Sequence, residues 1–234
     1  MELIEKKENQ IVFKTTLSES LANSIRRYVG EIPIYAIDEV EIFKNDSAMY
    51  DETIAHRLGL LSLKMDKLSK EPKFKLSVKG PGIVYAKDLN TPAIVYGKTP
   101  LTVLKQGQEL ELVATTKIGR GVEHSKFSSG LMFYRNLFEV ILNKKDYESI
   151  GKDLINLNAK EKGDKIIISD DKSKSILDVC ESVCEKSNKP INLNKTGNLI
   201  ITLESFGQLT PKEIISKAIK EFKKDLNIVS KNLK

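Results

Sequence analysis

Apolar side chains late in the chain recur in alternating steps of four and three: Ile215, Ile219, Phe222, Leu226, Val229 and Leu233. On a helix that spacing makes a narrow, coiled-coil-like seam, which Ile214, Ala218 and Ile228 widen in places. Thr210-Pro211-Lys212-Glu213 marks the start, with an N-cap threonine, a proline at the first helical position and a glutamate placed for a capping box. No glycine or proline follows before Lys234, so the pattern predicts a helix from Pro211 to about Leu233, roughly 34 Å long at 1.5 Å per residue. Burying each large apolar side chain is worth roughly 1.5–3 kcal/mol relative to exposure, so a wet seam is unfavourable. Two coverings fit the spacing: the chain's own domain, or a helix of another chain.

Upstream the period switches between helix and strand. Residues 10–13 read as a strand and residues 17–29 as a helix. Thr16-Leu17-Ser18-Glu19 has the form of a capping box, and Leu17, Leu21, Ile25 and then Tyr28 or Val29 fall at helical spacing. Arg26 and Arg27 suit the negative end of the helix dipole, and Gly30 supplies the stop. A strand is predicted over 37–43, a polar connection over 45–53 and a short helix over 54–58, closed by Gly59. From 74 to 142 the pattern is mostly β. Strands at 75–79 and 83–85 flank Gly80-Pro81-Gly82, and others follow at 101–104, 109–115, 131–134 and 138–142. Residues 144–174 are rich in lysine and aspartate, with one strand at 165–168. A helix is expected over 174–185, broken by Asn188-Lys189-Pro190, and a strand at 199–203 precedes the final helix.

Composition narrows the class. The chain has 234 residues, 40% hydrophobic and 30% charged, room for one or two packed domains of ordinary globular kind. No apolar run approaches a membrane span, no signal-peptide pattern opens the chain, and Cys180 and Cys184 are too few for a disulfide framework. The expected setting is therefore reduced and cytoplasmic. The formal net charge is +6, which suits an acidic partner or nucleic acid. Arginine, however, the side chain that forks onto phosphates and guanine edges, occurs only at Arg26, Arg27, Arg57, Arg120 and Arg135. The lysines are interleaved with acids and read as solvated surface.

Catalytic chemistry finds little purchase. His56 and His124 are the only histidines; neither stands in a nucleophile elbow or a His-Glu-x-x-His helix. Gly119-Arg120-Gly121 lacks the lysine of a phosphate-binding loop. Asp170-Asp171 follows a strand, but adjacent aspartates point to opposite sides of an extended chain. Cys180 and Cys184 share a helix face and could supply two thiolates, whereas zinc sites want four ligands and iron–sulfur clusters three or four cysteines. With Ile176 and Val183 they form an apolar stripe, which reads as core.

Several stretches together resemble one family, the D-type subunit of archaeal DNA-directed RNA polymerase, counterpart of the bacterial α subunit and of the third-largest eukaryotic RNA polymerase II subunit. They are Leu21-Ala22-Asn23-Ser24-Ile25-Arg26-Arg27; Glu31-Ile32-Pro33 with Ala36-Ile37-Asp38; Asp51-Glu52 with Ala55-His56-Arg57-Leu58-Gly59-Leu60; Lys79-Gly80-Pro81-Gly82-Ile83-Val84-Tyr85; Gly119-Arg120-Gly121 with Glu123-His124-Ser125-Lys126-Phe127; and Glu204-Ser205-Phe206-Gly207-Gln208-Leu209. The resemblance implies an α+β fold: a discontinuous assembly domain (1–43 and 193–234), an inserted β-rich domain (44–145) and a small ferredoxin-like domain (146–192). It implies a scaffold subunit that is not itself an enzyme and that meets DNA only through the complex. It would pair with a smaller α-like subunit, L, join small subunits N and P, and carry the large catalytic subunits. Leu17, Leu21, Ile25, Arg26, Arg27, His56, Arg57, Ile215, Ile219, Phe222, Leu226 and Val229 would then lie at partner interfaces, with Arg26 and Arg27 against a large subunit. Many relatives carry cysteines for an iron–sulfur cluster; with only Cys180 and Cys184 here, no cluster, metal or other cofactor is expected. The competing readings are an independent nucleic-acid-binding protein and a small metal or redox protein.

Overall fold

The structure, a computed structural model, describes residues 1–65, 72–150, 159–170 and 175–233. Its elements run β1 (Glu2–Lys6), β2 (Gln10–Thr15), α1 (Glu19–Tyr28), β3 (Ile34–Asn45), α2 (Asp51–Gly59), β4 (Lys73–Lys79), β5 (Gly82–Tyr85), β6 (Pro100–Leu104), β7 (Glu109–Gly119), β8 (Gly130–Asn143), α3 (Lys144–Ile150), β9 (Ala159–Lys162), β10 (Lys165–Ser169), α4 (Ser175–Lys186), β11 (Asn192–Ser205) and α5 (Pro211–Asn232). The architecture is mixed, with strands outnumbering helices. Asp171 and Lys174, on which the paired-aspartate reading and the expected start of α4 fell, lie outside the described residues.

The chain divides into two compact units. The first comprises Met1–Lys7, Ile11–Asn23 and Phe133–Thr202. It contains most of a six-stranded sheet of order β1-β2-β11-β8-β10-β9. β10 lies antiparallel to both β8 and β9, so part of the stretch expected as a ferredoxin-like domain continues this sheet. Val140, Leu142, Ile166, Ile168, Leu177, Cys180 and Cys184 form one buried cluster, with Ile176 and Val183 packed against it. Two strands were expected over 131–134 and 138–142. The structure has one 14-residue strand instead. Arg135 Nη1 donates to Asp170 Oδ2 (2.5 Å) and to the Asn136 carbonyl (3.1 Å), so the arginine is satisfied without a break in the strand.

The second unit comprises Glu8–Gln10, Ser24–Met132 and Leu203–Lys234. Its sheet has the order β3-β7-β4, antiparallel throughout, and β5 pairs with β6. α2 contributes Ile54 and Leu58 to a core with Ile37, Leu63, Leu76, Leu101, Leu110 and Leu112. β3 is longer than the expected 37–43 and carries an irregularity between Ile37 and Glu39, which pair with the consecutive residues Thr116 and Thr115. Asp38 is the extra residue, and a bulge of this kind re-aims its side chain.

α1 begins later than expected. Ser18, not Thr16, caps it: the Leu21 amide donates to Ser18 Oγ (3.3 Å) and the Ala22 amide to the Ser18 carbonyl (3.0 Å). Glu19, expected to close a box with Thr16, instead pairs with Lys195 at 2.5 Å. α5 starts as the sequence indicates. Thr210 Oγ1 accepts from the Glu213 amide (3.4 Å), and the Thr210 amide donates to Glu213 Oε2 (2.8 Å). The base of α5 is packed closely. A Cβ on Gly130 would stand 2.3 Å from the Glu204 carbonyl oxygen and 3.1 Å from Ile214 Cδ1, so glycine is required where β8 begins. Among the described residues no helix is long and apolar enough to cross a membrane.

Candidate functional site

The candidate site is the surface left by α5 and the last turn of α1. One stripe of α5 faces its own chain: Pro211, Ile214 and Ala218 are buried. Ile215, Ile219 and Leu226 each follow by one residue a member of the Ile214–Ala218–Asp225 line, which turns them about 100° around the axis. Ile215, Ile219 and Phe222 are half-buried; Leu226 is 51% and Val229 54% exposed. Every residue from 223 to 233 is exposed. About 15 Å of helix thus carries apolar side chains that the described residues leave exposed.

The last contact before that stretch is with Tyr28, the end of α1. Its ring lies 5.0 Å from that of Phe222, and its hydroxyl donates to Asp225 Oδ2 (3.0 Å). Arg26 and Arg27 are exposed beside it, in the turn where cations suit the helix dipole. Leu17 precedes the helix and is half-buried, Leu21 is exposed, and Ile25 is 8% exposed, buried like Ala22 and Val29. Ile25 therefore serves the chain's own core rather than its surface.

His56 and Arg57 lie on the exposed side of α2, far from α5's seam in sequence. Arg57 Nη1 donates to the Leu101 carbonyl (2.9 Å) and the Pro100 carbonyl (3.4 Å), tying α2 to β6. With Leu60, Leu61, Ser62, Tyr96, Thr99 and Pro100 it lines a groove of about 350 Å³.

A second group of side chains draws together the short segments singled out from the sequence. The bulged Asp38 takes a hydrogen bond from Lys126 Nζ (2.5 Å), with Lys117 at 3.8 Å; Arg120 meets Glu31 at 3.3 Å. Gly119 and Gly121 owe their place to packing: a Cβ on Gly119 would stand 2.6 Å from the Phe127 ring, and one on Gly121 3.2 Å from Gly30 Cα. This is why a glycine pair stands there without a phosphate-binding lysine. His124 Nδ1 accepts from the Lys126 amide (3.1 Å) and caps a short 3-10 turn. Sequence reasoning singled out these segments but not the Asp38–Lys126 and Tyr28–Asp225 pairs, which join residues far apart along the chain.

The two thiols sit in the first unit's core. Burial pushes Cys180 up to about 11, with the charge of Cys184 next, and burial also raises Cys184. Metal ligation uses the thiolate, which such an apolar site disfavours. Among the described residues no group of three or more His, Cys, Asp or Glu is placed to hold a metal ion.

Comparison with known sequences decides the family. The profile of the RNA polymerase Rpb3/RpoA insert domain matches residues 23–140. DNA-directed RNA polymerase subunit Rpo3 of Pyrococcus furiosus is 34% identical over 94% of this chain and 91% of its own length. The chain belongs to the Rpo3 family of RNA polymerase subunits. Rpo3 of Thermococcus kodakarensis is 32% identical over 93% of this chain and 91% of its own length, and Rpo3 of Archaeoglobus fulgidus 32% over 94% and 92%. All three relatives are archaeal.

The ion pair at the bulge gives this Rpo3-family chain a measurable acid response. The hydrogen bond from Lys126 holds the Asp38 carboxyl below the usual carboxylate range; attraction to Lys126 and Lys117 adds to it, and burial opposes it. A carboxylate lowered in the folded state adds stability above its unfolded pKa of about 3.9 and loses it as pH falls through the lower folded value. Both side chains keep some water contact, so the pair is worth little more than a surface bridge. Lys126→Met should lower Tm by roughly 1–3 °C at pH 7. That gap should close as pH falls through the lowered folded value of the Asp38 carboxyl. A gap of constant size across a melting series from pH 7 to about 2.5 would rule the pair out as its cause.

Proposed function

We propose that the chain is the D-type scaffold of an archaeal RNA polymerase, pairing with a smaller α-like subunit, L, to form the platform for the large catalytic subunits. The observation that carries the reading is the uncovered seam: Leu226 and Val229 are half exposed on a helix whose other face is already anchored. A partner helix that covered them would remove apolar area from water on a stripe the chain's own fold leaves open. Small subunits N and P join the same platform, and Arg26 and Arg27 face a large subunit. The chain performs no chemistry itself; nucleotide transfer belongs to the large subunits, and DNA is met only through the assembled, cytoplasmic complex. His56 and Arg57 belong to a separate contact surface on α2.

The chain also works without an iron–sulfur cluster, since its two thiols are buried among aliphatic side chains. Iron and sulfide assays on anaerobically purified protein should return neither in stoichiometric amount; stoichiometric iron with sulfide would overturn this.

Co-expression with the smaller α-like subunit should yield a stable heterodimer. Leu226→Asp with Val229→Asp should abolish it without unfolding the chain, because both side chains are exposed in the chain alone. In the same co-expression extended to the large subunits, Arg26→Ala with Arg27→Ala should leave the heterodimer intact and weaken their recruitment. A wild-type chain that stays monomeric beside the smaller subunit would sink the scaffold reading; full recruitment by the arginine variant would remove those two residues from the interface.

A further inference from the structure

α5 parts from the body of its unit beside Tyr28. Its inward stripe ends at Ala218, Phe222 is half-buried and residues 223–233 are all exposed. Tyr28 makes two contacts at the point of departure, the ring contact with Phe222 at 5.0 Å and the hydrogen bond to Asp225 at 3.0 Å. These two residues are three apart on α5, so they lie on neighbouring turns of one face, and a side chain that grips both fixes two things. It fixes how far the free half of the helix leans from the body of the unit. It also fixes how the helix is rotated, and so which way Leu226 and Val229 point. Asp225 precedes Leu226 by one residue; holding Asp225 against α1 turns Leu226 about 100° away from it, toward solvent.

We infer that Tyr28 and Asp225 form a clasp that presets the free half of α5 for its partner helix. This rests on the proposed pairing through the α5 seam and adds a positioning role that the seam residues do not have. Tyr28 and Asp225 hold the helix in its binding orientation before the partner arrives. An unclasped helix would visit that orientation for a smaller fraction of the time, and apparent affinity falls by that fraction. Once the partner helix is seated, its own contacts hold α5, so the clasp acts on association and not on release. The Tyr28 hydroxyl is held above its usual pKa range, chiefly by the bond to Asp225, and stays a donor throughout the neutral range.

The test is the binding kinetics of the full-length chain with the smaller α-like subunit. Tyr28→Phe keeps the ring and removes the donor; Asp225→Ala removes the acceptor; Asp225→Asn keeps an acceptor oxygen. Tyr28→Phe and Asp225→Ala should each slow association by about threefold to tenfold, the equivalent of one hydrogen bond. The dissociation rate should stay at its wild-type value, and the Tm of the chain alone should fall by no more than about 2–4 °C, the equivalent of that one bond. The double variant should be no slower than either single one, and Asp225→Asn should restore most of the rate. Wild-type association in both single variants, independent effects that multiply, or slowing with a fall in Tm well beyond that of one hydrogen bond would each overturn the clasp while leaving the pairing in place. Failure of the wild-type chain to bind at all would instead remove the pairing, and the clasp with it.

Discussion

Burial of Pro211, Ile214 and Ala218 against the chain's own core is the constraint on which the rest depends. A helix cannot turn all its faces inward, and once this stripe is seated the 3.6-residue turn sets which way the residues at the base of α5 face. The seam residues lie about one residue's rotation away, so they emerge half-covered at the base and bare toward the end. The capping box at Thr210 and Glu213 and the close approach at Gly130 secure the base, where any slack would be multiplied along the free length. The surface that α5 leaves uncovered is thus a product of internal packing rather than a patch added to a finished fold.

The second unit's remaining features serve rigidity. Asp38 stands on a bulge, which frees its carboxylate to bridge β3 and the segment after β7 through Lys126. Arg120 and Glu31 join the same two regions, and the glycines at 119 and 121 let the backbone and the Phe127 ring come close. Arg57 ties α2 to β6. None of these groups is arranged as an acid–base pair or a nucleophile. Their partners are backbone carbonyls and opposite charges.

Much of this was legible in the sequence, for reasons that differ by element. α5 was legible in full because its cap, its period and its lack of breakers all agree. α1 was misplaced at its start because Thr16 and Ser18 both suit a cap, and only the Lys195 partner of Glu19 tells them apart. β8 was read as two strands, whereas it runs on through Arg135, whose charge Asp170 meets. β1 and β9 were missed: Glu2–Lys6 and Ala159–Lys162 are edge strands with few buried side chains, so they carry little alternation. At the candidate site the seam was readable from spacing, and its partner came only from the family resemblance. Ile25 was placed at a partner interface by the family resemblance, whereas in the chain alone its side chain is buried. The Tyr28–Asp225 bond, 197 positions apart, has no signature in a single sequence.

The central claim is that residues 223–233 of α5 stand uncovered in the chain alone and are covered by a partner subunit. Amide hydrogen exchange, followed residue by residue on the chain with and without the smaller α-like subunit, tests it most directly. The amides of this stretch should exchange quickly in the chain alone and become protected when the partner is added, while those of β7 and α2 keep their rates. Protection of the stretch already present in the monomeric chain, or exchange there that the partner leaves unchanged, would contradict the account.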